Sequence, residues 1–377
     1  MPAVPRPTAP STTLLLGGAV PRADWDAHDS ALVTLFRLRD RDSRIVLTDR
    51  AEHLAAAPEL TALADEVHAL DHGDVTGCVA WSWAQGPRFD AVLGFREDAA
   101  ESAAAVAEAL GLPGNPLTAV RRVRMRDRCR DYLRRHGFRQ PRLLLCTRPE
   151  QAEELLLASG RVVVRPRDGA GPGRVSLVTE ADRLPDAFRA AGADERAPVL
   201  VESWVGGVGY RVDGVLLAGR PRVLAVTRQP AAPEPAAAAP VPRPRTPPAA
   251  SAAPARDPEA AVRAEVCAAL QVLGLRTGPF QVECRTGPAG VVVGGVHVGP
   301  GEAAGPAGCH PGCELYGTWL DDLLTSGPPP TVPSRAPTEP GPLAGQGGGP
   351  VPGTADTGRT GTRDADVQAN GPSGAAR

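Results

Sequence analysis

The sequence predicts an α/β fold, and three observations carry that prediction. Short apolar runs at residues 12–16, 44–48, 67–70 and 90–93 alternate with helical or loop segments, as in an open α/β layer. Two further apolar runs, residues 162–164 and 199–201, flank a glycine-rich stretch. Beyond them, Val262, Val266, Leu270 and Leu273 recur at helical spacing, marking a helix with one buried face.

In chain order, the first strand ends at Gly17-Gly18, which lacks a GxGxxG spacing and so predicts no dinucleotide role. Residues 14–20 are too short for a membrane span. Their proline-rich surroundings are unlike a signal peptide, so the cytoplasm is the default compartment and no membrane partner is expected. Between the strands at 162–164 and 199–201, the small residues Asp168, Gly169, Ala170, Gly171 and Gly173 let backbone N–H groups approach phosphate oxygens. A plain hairpin connection explains the same residues about as well. The second strand runs into Glu202, Ser203, Trp204 and Val205, and Tyr210, Val212 and Val215 follow on a half-buried strand.

Residues 229–256, dominated by Pro and Ala, predict an extended, disordered insertion, and residues 327–377 a disordered Gly/Pro-rich tail. Order resumes at Asp257, an N-cap, with Pro258 at the first helical position.

The 377 residues carry 41 basic and 43 acidic side chains, a net charge of −2, so no basic excess points to nucleic acid. No lysine occurs, and only one isoleucine, Ile45, which fits GC-rich codon pressure. Seven scattered cysteines argue against a disulfide framework and for a reducing compartment. Cys309, His310 and Cys313 form the one cluster with metal-ligand spacing, but no second CxxC pair lies nearby and an ordinary turn with ordinary thiols is the favoured reading.

Four segments in order, residues 89–120 with the turn LGLPG, 124–141, 161–214 and 278–290, resemble the ATP-grasp superfamily. The likeness is to the carboxylate–amine ligases related to D-alanine:D-alanine ligase and carbamoyl phosphate synthetase. It implies a Rossmann-like domain over residues 1–116 that helps bind a carboxylate substrate. An ATP-grasp domain would follow over 117–326, with a central subdomain at about 142–215. ATP is the implied nucleotide, small-molecule carboxylates and amines the implied substrates. Arg126 and Arg165 stand where the family places its two phosphate-neutralising lysines. Arginine keeps the charge but presents a wider, planar fork. Glu202, Ser203, Trp204 and Val205 match the adenine-binding hinge, and Gly209 stands where a ribose-binding glutamate is usual.

The resemblance weakens at the Mg²⁺ site, where phosphoryl transfer needs hard oxygen ligands. Glu283 fits the first metal-binding acid. An ungapped continuation puts Gly295 at the second glutamate, His297 at the asparagine and Gly299 at the anion-binding arginine. His297 is a candidate ligand, although imidazole suits zinc better than Mg²⁺. Two classes of function stay open: an ATP-dependent ligase that activates a carboxylate as an acyl phosphate, and a noncatalytic relative acting as a binding or regulatory module. Substrate identity and oligomeric state are not legible.

Overall fold

Three four-stranded sheets organise the computed structural model, which describes residues 10–22, 25–94, 96–167, 174–194, 196–229, 257–287, 290–299 and 312–325. All of these belong to one compact unit. The glycine-rich stretch 168–173, nearly all of the Pro/Ala-rich insertion, Cys309, His310 and the tail after Thr325 lie outside the described residues, as do the side chains of Cys313 and Leu315.

The first sheet comprises β1 (Thr12–Leu16), β2 (Arg44–Asp49), β3 (Glu66–Ala69) and β4 (Ala91–Gly94), all parallel in the order β3-β2-β1-β4. Helices α1 (Trp25–Arg39), α2 (Ala51–Ala56), α3 (Pro58–Thr61) and α4 (Val75–Ala84) connect these strands. The expected runs are all present, with the third and fourth displaced by one residue. Parallel strands must be covered on both faces, and Leu14, Leu15, Leu16, Ile45, Val46 and Leu47 are fully buried. The chain reverses direction across the sheet between β1 and β4, so their carboxyl ends border a crevice.

Helices α5 (Ala100–Leu110), α6 (Leu117–Arg124) and α7 (Arg126–Arg135) lead out of this layer. The second sheet, ordered β5-β8-β6-β7, contains β5 (Leu143–Cys146), β6 (Val162–Pro166), β7 (Ser176–Val178) and β8 (Val199–Ser203). Helices α8 (Glu153–Ser159) and α9 (Leu184–Ala191) supply Leu155, Leu156, Leu184 and Phe188 to its core. The predicted strand at 162–164 is thus β6 and that at 199–201 is β8. They pair antiparallel, with Val164 opposite Val201.

The third sheet, ordered β10-β9-β11-β12, is antiparallel and contains β9 (Val208–Leu217), β10 (Arg220–Arg228), β11 (Gly278–Gly287) and β12 (Gly290–Val298). Helix α10 (Pro258–Leu273) packs against it, and its Val262, Val266, Leu270 and Leu273 are fully buried. The Asp257 side chain accepts a hydrogen bond from the Glu259 N–H at 3.0 Å, so the predicted cap is formed. The last helix, α11 (Gly312–Thr325), buries Tyr316, Trp319, Leu320 and Leu323 in the core of the first sheet. Among the described residues no helix is long and apolar enough to cross a membrane. Cys78, Cys129, Cys146, Cys267 and Cys284 are free thiols.

Candidate functional site

The candidate site lies where α7 meets one end of β6 and β8 and one face of β9, β11 and β12. Apolar positions Cys129 and Leu133 seat α7 on the third sheet, and the same helical face carries Arg126 and Arg130, 8% and 6% exposed. Charged side chains reach the interior only with partners. Arg130 forms an ion pair with Glu202 at the end of β8, and its Nη2 donates to Glu202 Oε2 at 3.4 Å. Arg130 Nη1 donates to Gln140 Oε1 at 2.8 Å and to the Val293 carbonyl at 3.3 Å. Arg165 on β6 places Nη1 3.7 Å from Glu202 Oε2. Burial, together with Arg126 nearby, pushes the Arg165 guanidinium down to about 10, against the attraction of Glu202 and Glu283.

Glu202 is therefore an anchor between two guanidinium groups, tying α7 to the second sheet. Ser203 and Trp204 continue the same edge, where the Trp204 N–H donates to the Arg161 carbonyl at 3.0 Å. The Arg285 guanidinium lies 4.4 Å from the centre of the Trp204 ring. Val205 follows, half-buried. Arg167 grips Asp127 of α7 through two bonds, of 2.9 and 2.7 Å, immediately before the undescribed stretch 168–173. Arg174, on the far side of that stretch, donates at 2.6 Å to the Ala191 carbonyl at the end of α9.

On the third sheet, Arg211, Glu283, Gly295 and His297 share one face. Opposite Glu283 the register slips: Val282 pairs with Val296 and Cys284 with Val293, so two glycines, Gly294 and Gly295, face one residue. This bulge turns Gly295 toward Glu283. A Cβ built on Gly295 would lie 3.0 Å from Arg126 Nη1, 3.0 Å from His297 Nε2 and 3.1 Å from Glu283 Oε2. The position matched to the second metal-binding glutamate is thus surrounded by a guanidinium, an imidazole and a carboxylate. His297, 6% exposed, sets Nδ1 3.7 Å from Glu97 Oε1. Burial would raise the Glu97 carboxyl, but His297, Arg126 and Arg124 hold it below its ordinary value. Gly209, matched to the ribose-binding glutamate, lies against the Gln229 side chain, whose Cβ would be 3.3 Å from an added Cβ.

Two openings meet at this cluster. One is a narrow opening lined by Glu97, Arg124, Arg126, Gly294, Gly295 and His297. The other, larger, runs from Glu97 and His297 past Gly94, Ala103 and Asn115 to Trp319, along the crevice side of the first sheet.

The residues suit a polyanion and do not suit Mg²⁺. Arg126 Nη1 is buried with no hydrogen-bond partner among the described residues, an orphaned cationic donor that a phosphate oxygen would satisfy. Mg²⁺ demands several oxygen ligands in octahedral array. At the Gly295 position the nearest carboxylate among the described residues is Glu283, and a guanidinium and an imidazole lie equally close. Among the described residues no group of three His, Cys, Asp or Glu side chains is placed to hold a metal ion.

Sequence reasoning located Arg126, Arg165, Glu202, Glu283 and His297, which the fold brings to one neighbourhood. It missed Arg130, Glu97, Arg124 and the bulge. The four-residue step from Arg126 to Arg130, and two adjacent glycines inside a strand, were the available signals.

Solved structures resemble this fold. An L-amino acid ligase from Bacillus licheniformis matches with a TM-score of 0.63 at 18% identity, over 84% of this chain and 74% of that one. An N5-carboxyaminoimidazole synthetase from Staphylococcus aureus, complexed with ADP, matches with a TM-score of 0.61 at 14% identity, over 85% and 78%. A D-alanyl-alanine synthetase A from Vibrio cholerae matches with a TM-score of 0.56 at 14% identity, over 84% and 98%. No protein-family model and no curated protein matches the chain. The chain has the ATP-grasp fold, which it shares with these solved structures.

Proposed function

We propose that this protein binds ATP between its second and third sheets and that its reaction is that of an ATP-dependent carboxylate–amine ligase. The observation that carries the reading is the convergence of Arg126, Arg130 and Arg165 at one end of the second sheet, with Arg126 Nη1 buried and without a hydrogen-bond partner among the described residues. Arg126 and Arg165 would neutralise phosphates, residues 168–173 would supply backbone N–H groups, and Glu202 to Val205 would border the base. The domain division at residues 116 and 117 belongs to this reading. The opening beside Glu97 and His297 would take the carboxylate and the amine. In such a reaction the carboxylate attacks the γ-phosphorus, ADP leaves, the amine attacks the acyl phosphate, and inorganic phosphate departs with one proton released.

A second reading, a noncatalytic ATP-binding relative, is favoured by one feature, Gly295 in place of a metal-binding carboxylate. Calorimetric titration with ATP, followed by an ADP-release assay over pairs of amino acids, tests both. Saturable binding lost in Arg165→Ala supports the nucleotide site. ADP release that needs both a carboxylate and an amine selects the ligase, and binding without release under every pairing selects the noncatalytic module. A folded chain that does not bind ATP overturns both.

A further inference from the structure

We infer that this site takes a nucleoside triphosphate without its divalent cation, the Arg126 guanidinium standing in the metal's position. The inference rests on the nucleotide reading above and specifies which form of the nucleotide is bound.

The argument begins at the bulge. Gly294 and Gly295 oppose Glu283 two to one, which brings the Gly295 backbone close to the Glu283 carboxylate and leaves the space above it without a side chain. Arg126 Nη1 fills that space, about as far from the Gly295 Cβ position as Glu283 Oε2 and His297 Nε2 are. A second carboxylate here would hold a dication between two acids. A guanidinium here already supplies positive charge beside Glu283, and a dication brought to the same carboxylate would meet it at close range in a poorly solvated setting. The remaining neighbours point the same way: Arg124 and Arg165 add cationic groups, His297 offers an imidazole that Mg²⁺ seldom takes, and Glu97 is engaged with His297.

The orphaned donor is the second, independent observation. Arg126 is more than nine-tenths buried, its Nη1 has no hydrogen-bond partner among the described residues, and it lines the narrow opening beside Glu97 and His297. A buried guanidinium N–H without an acceptor is costly, and a phosphate oxygen would relieve that cost directly. A metal-complexed triphosphate has part of its charge cancelled already; the free tetra-anion matches this cluster better.

The test is calorimetric titration of the full chain with ATP in a Mg²⁺ buffer and in EDTA, alongside Arg126→Ala and Arg126→Gln. The glutamine variant keeps most of the length if the alanine variant does not fold, and circular dichroism checks each. The expected result is native affinity in EDTA within about threefold of that in Mg²⁺, and a loss of about tenfold or more in either folded variant in EDTA. Native binding that weakens about tenfold or more in EDTA overturns the inference while leaving the nucleotide reading intact. Unchanged affinity in a folded Arg126 variant also overturns it. A folded native chain that binds ATP in neither buffer overturns the inference together with the nucleotide reading.

Discussion

Arg126 and Gly295 occupy one site in complementary ways: the guanidinium Nη1 lies 3.0 Å from where a Gly295 side chain would begin, so the space left by the glycine is the space the arginine uses. A longer side chain at 295 must displace Arg126, His297 or Glu283. All three contacts are the far ends of flexible side chains, so displacement is possible without moving backbone.

From this follows a gain-of-dependence experiment. Gly295→Glu combined with His297→Asn sets a second carboxylate beside Glu283 and removes the imidazole. ATP affinity in the double variant should become Mg²⁺-dependent by about tenfold, read by titration in Mg²⁺ and in EDTA. An affinity indifferent to the metal in a folded double variant would show that Gly295 does not stand at a metal position.

The Arg130–Glu202 pair is the second target, with side chains 7% and 4% exposed. Removing one partner leaves the other charge buried. Arg130→Ala should therefore cost on the order of 3–5 kcal/mol, whereas the triple variant Arg130→Met/Arg165→Met/Glu202→Leu, which also removes the second guanidinium facing Glu202, should cost much less. Urea denaturation measures both, and equal losses in the two proteins would place the stabilisation in packing instead.

Acid–base behaviour should be dominated by a buried histidine in the first sheet. His72, fully buried, lies between Asp49, 3.3 Å from Nδ1, and Asp98, 3.0 Å from Nε2; His53, Arg50, Arg96 and Asp71 complete the surroundings. Burial opposes its protonation, but the two carboxylates outweigh it and raise His72 from 6.5 to about 9. Because the folded-state value is the higher one, the stabilisation is fully present below pH 6.5 and is lost as pH rises through about 9. Asp98 is partly exposed, so solvent screening leaves on the order of 2 kcal/mol. Chemical denaturation between pH 6 and 10, roughly bracketing the ordinary and raised values, should show this loss in the native chain and not in His72→Gln. Parallel profiles for the two proteins would refute the assignment.

Gly214 provides a test of the third sheet. A Cβ at this position would collide with the Arg222 carbonyl and come within 2.5 Å of the fully buried Phe280 ring. Backbone cannot yield as a side chain can, so Gly214→Ala should destabilise by about 3 kcal/mol, near the upper range for overpacking. Gly86→Ala, with no atom within 4 Å of its added Cβ but a positive φ, should cost only about 1 kcal/mol. Thermal melting of both variants gives the comparison.

The sequence by itself determined the α/β class, the strands β1, β2, β6 and β8, the capped helix beginning at Pro258, and the resemblance that singled out Arg126, Arg165, Glu202 and Glu283. These are local matters, because apolar periodicity, turn residues and caps act within a few positions of the chain. Only the tertiary structure decided that Arg130 neutralises Glu202, that Glu97, just beyond the last strand of the first sheet, faces His297 from the third, and that a bulge turns Gly295 toward Arg126. Each of those relations joins residues dozens to hundreds of positions apart. Electrostatics and close packing depend on distance in space, and an alignment of one strand cannot show which cation the fold has placed above its missing side chain.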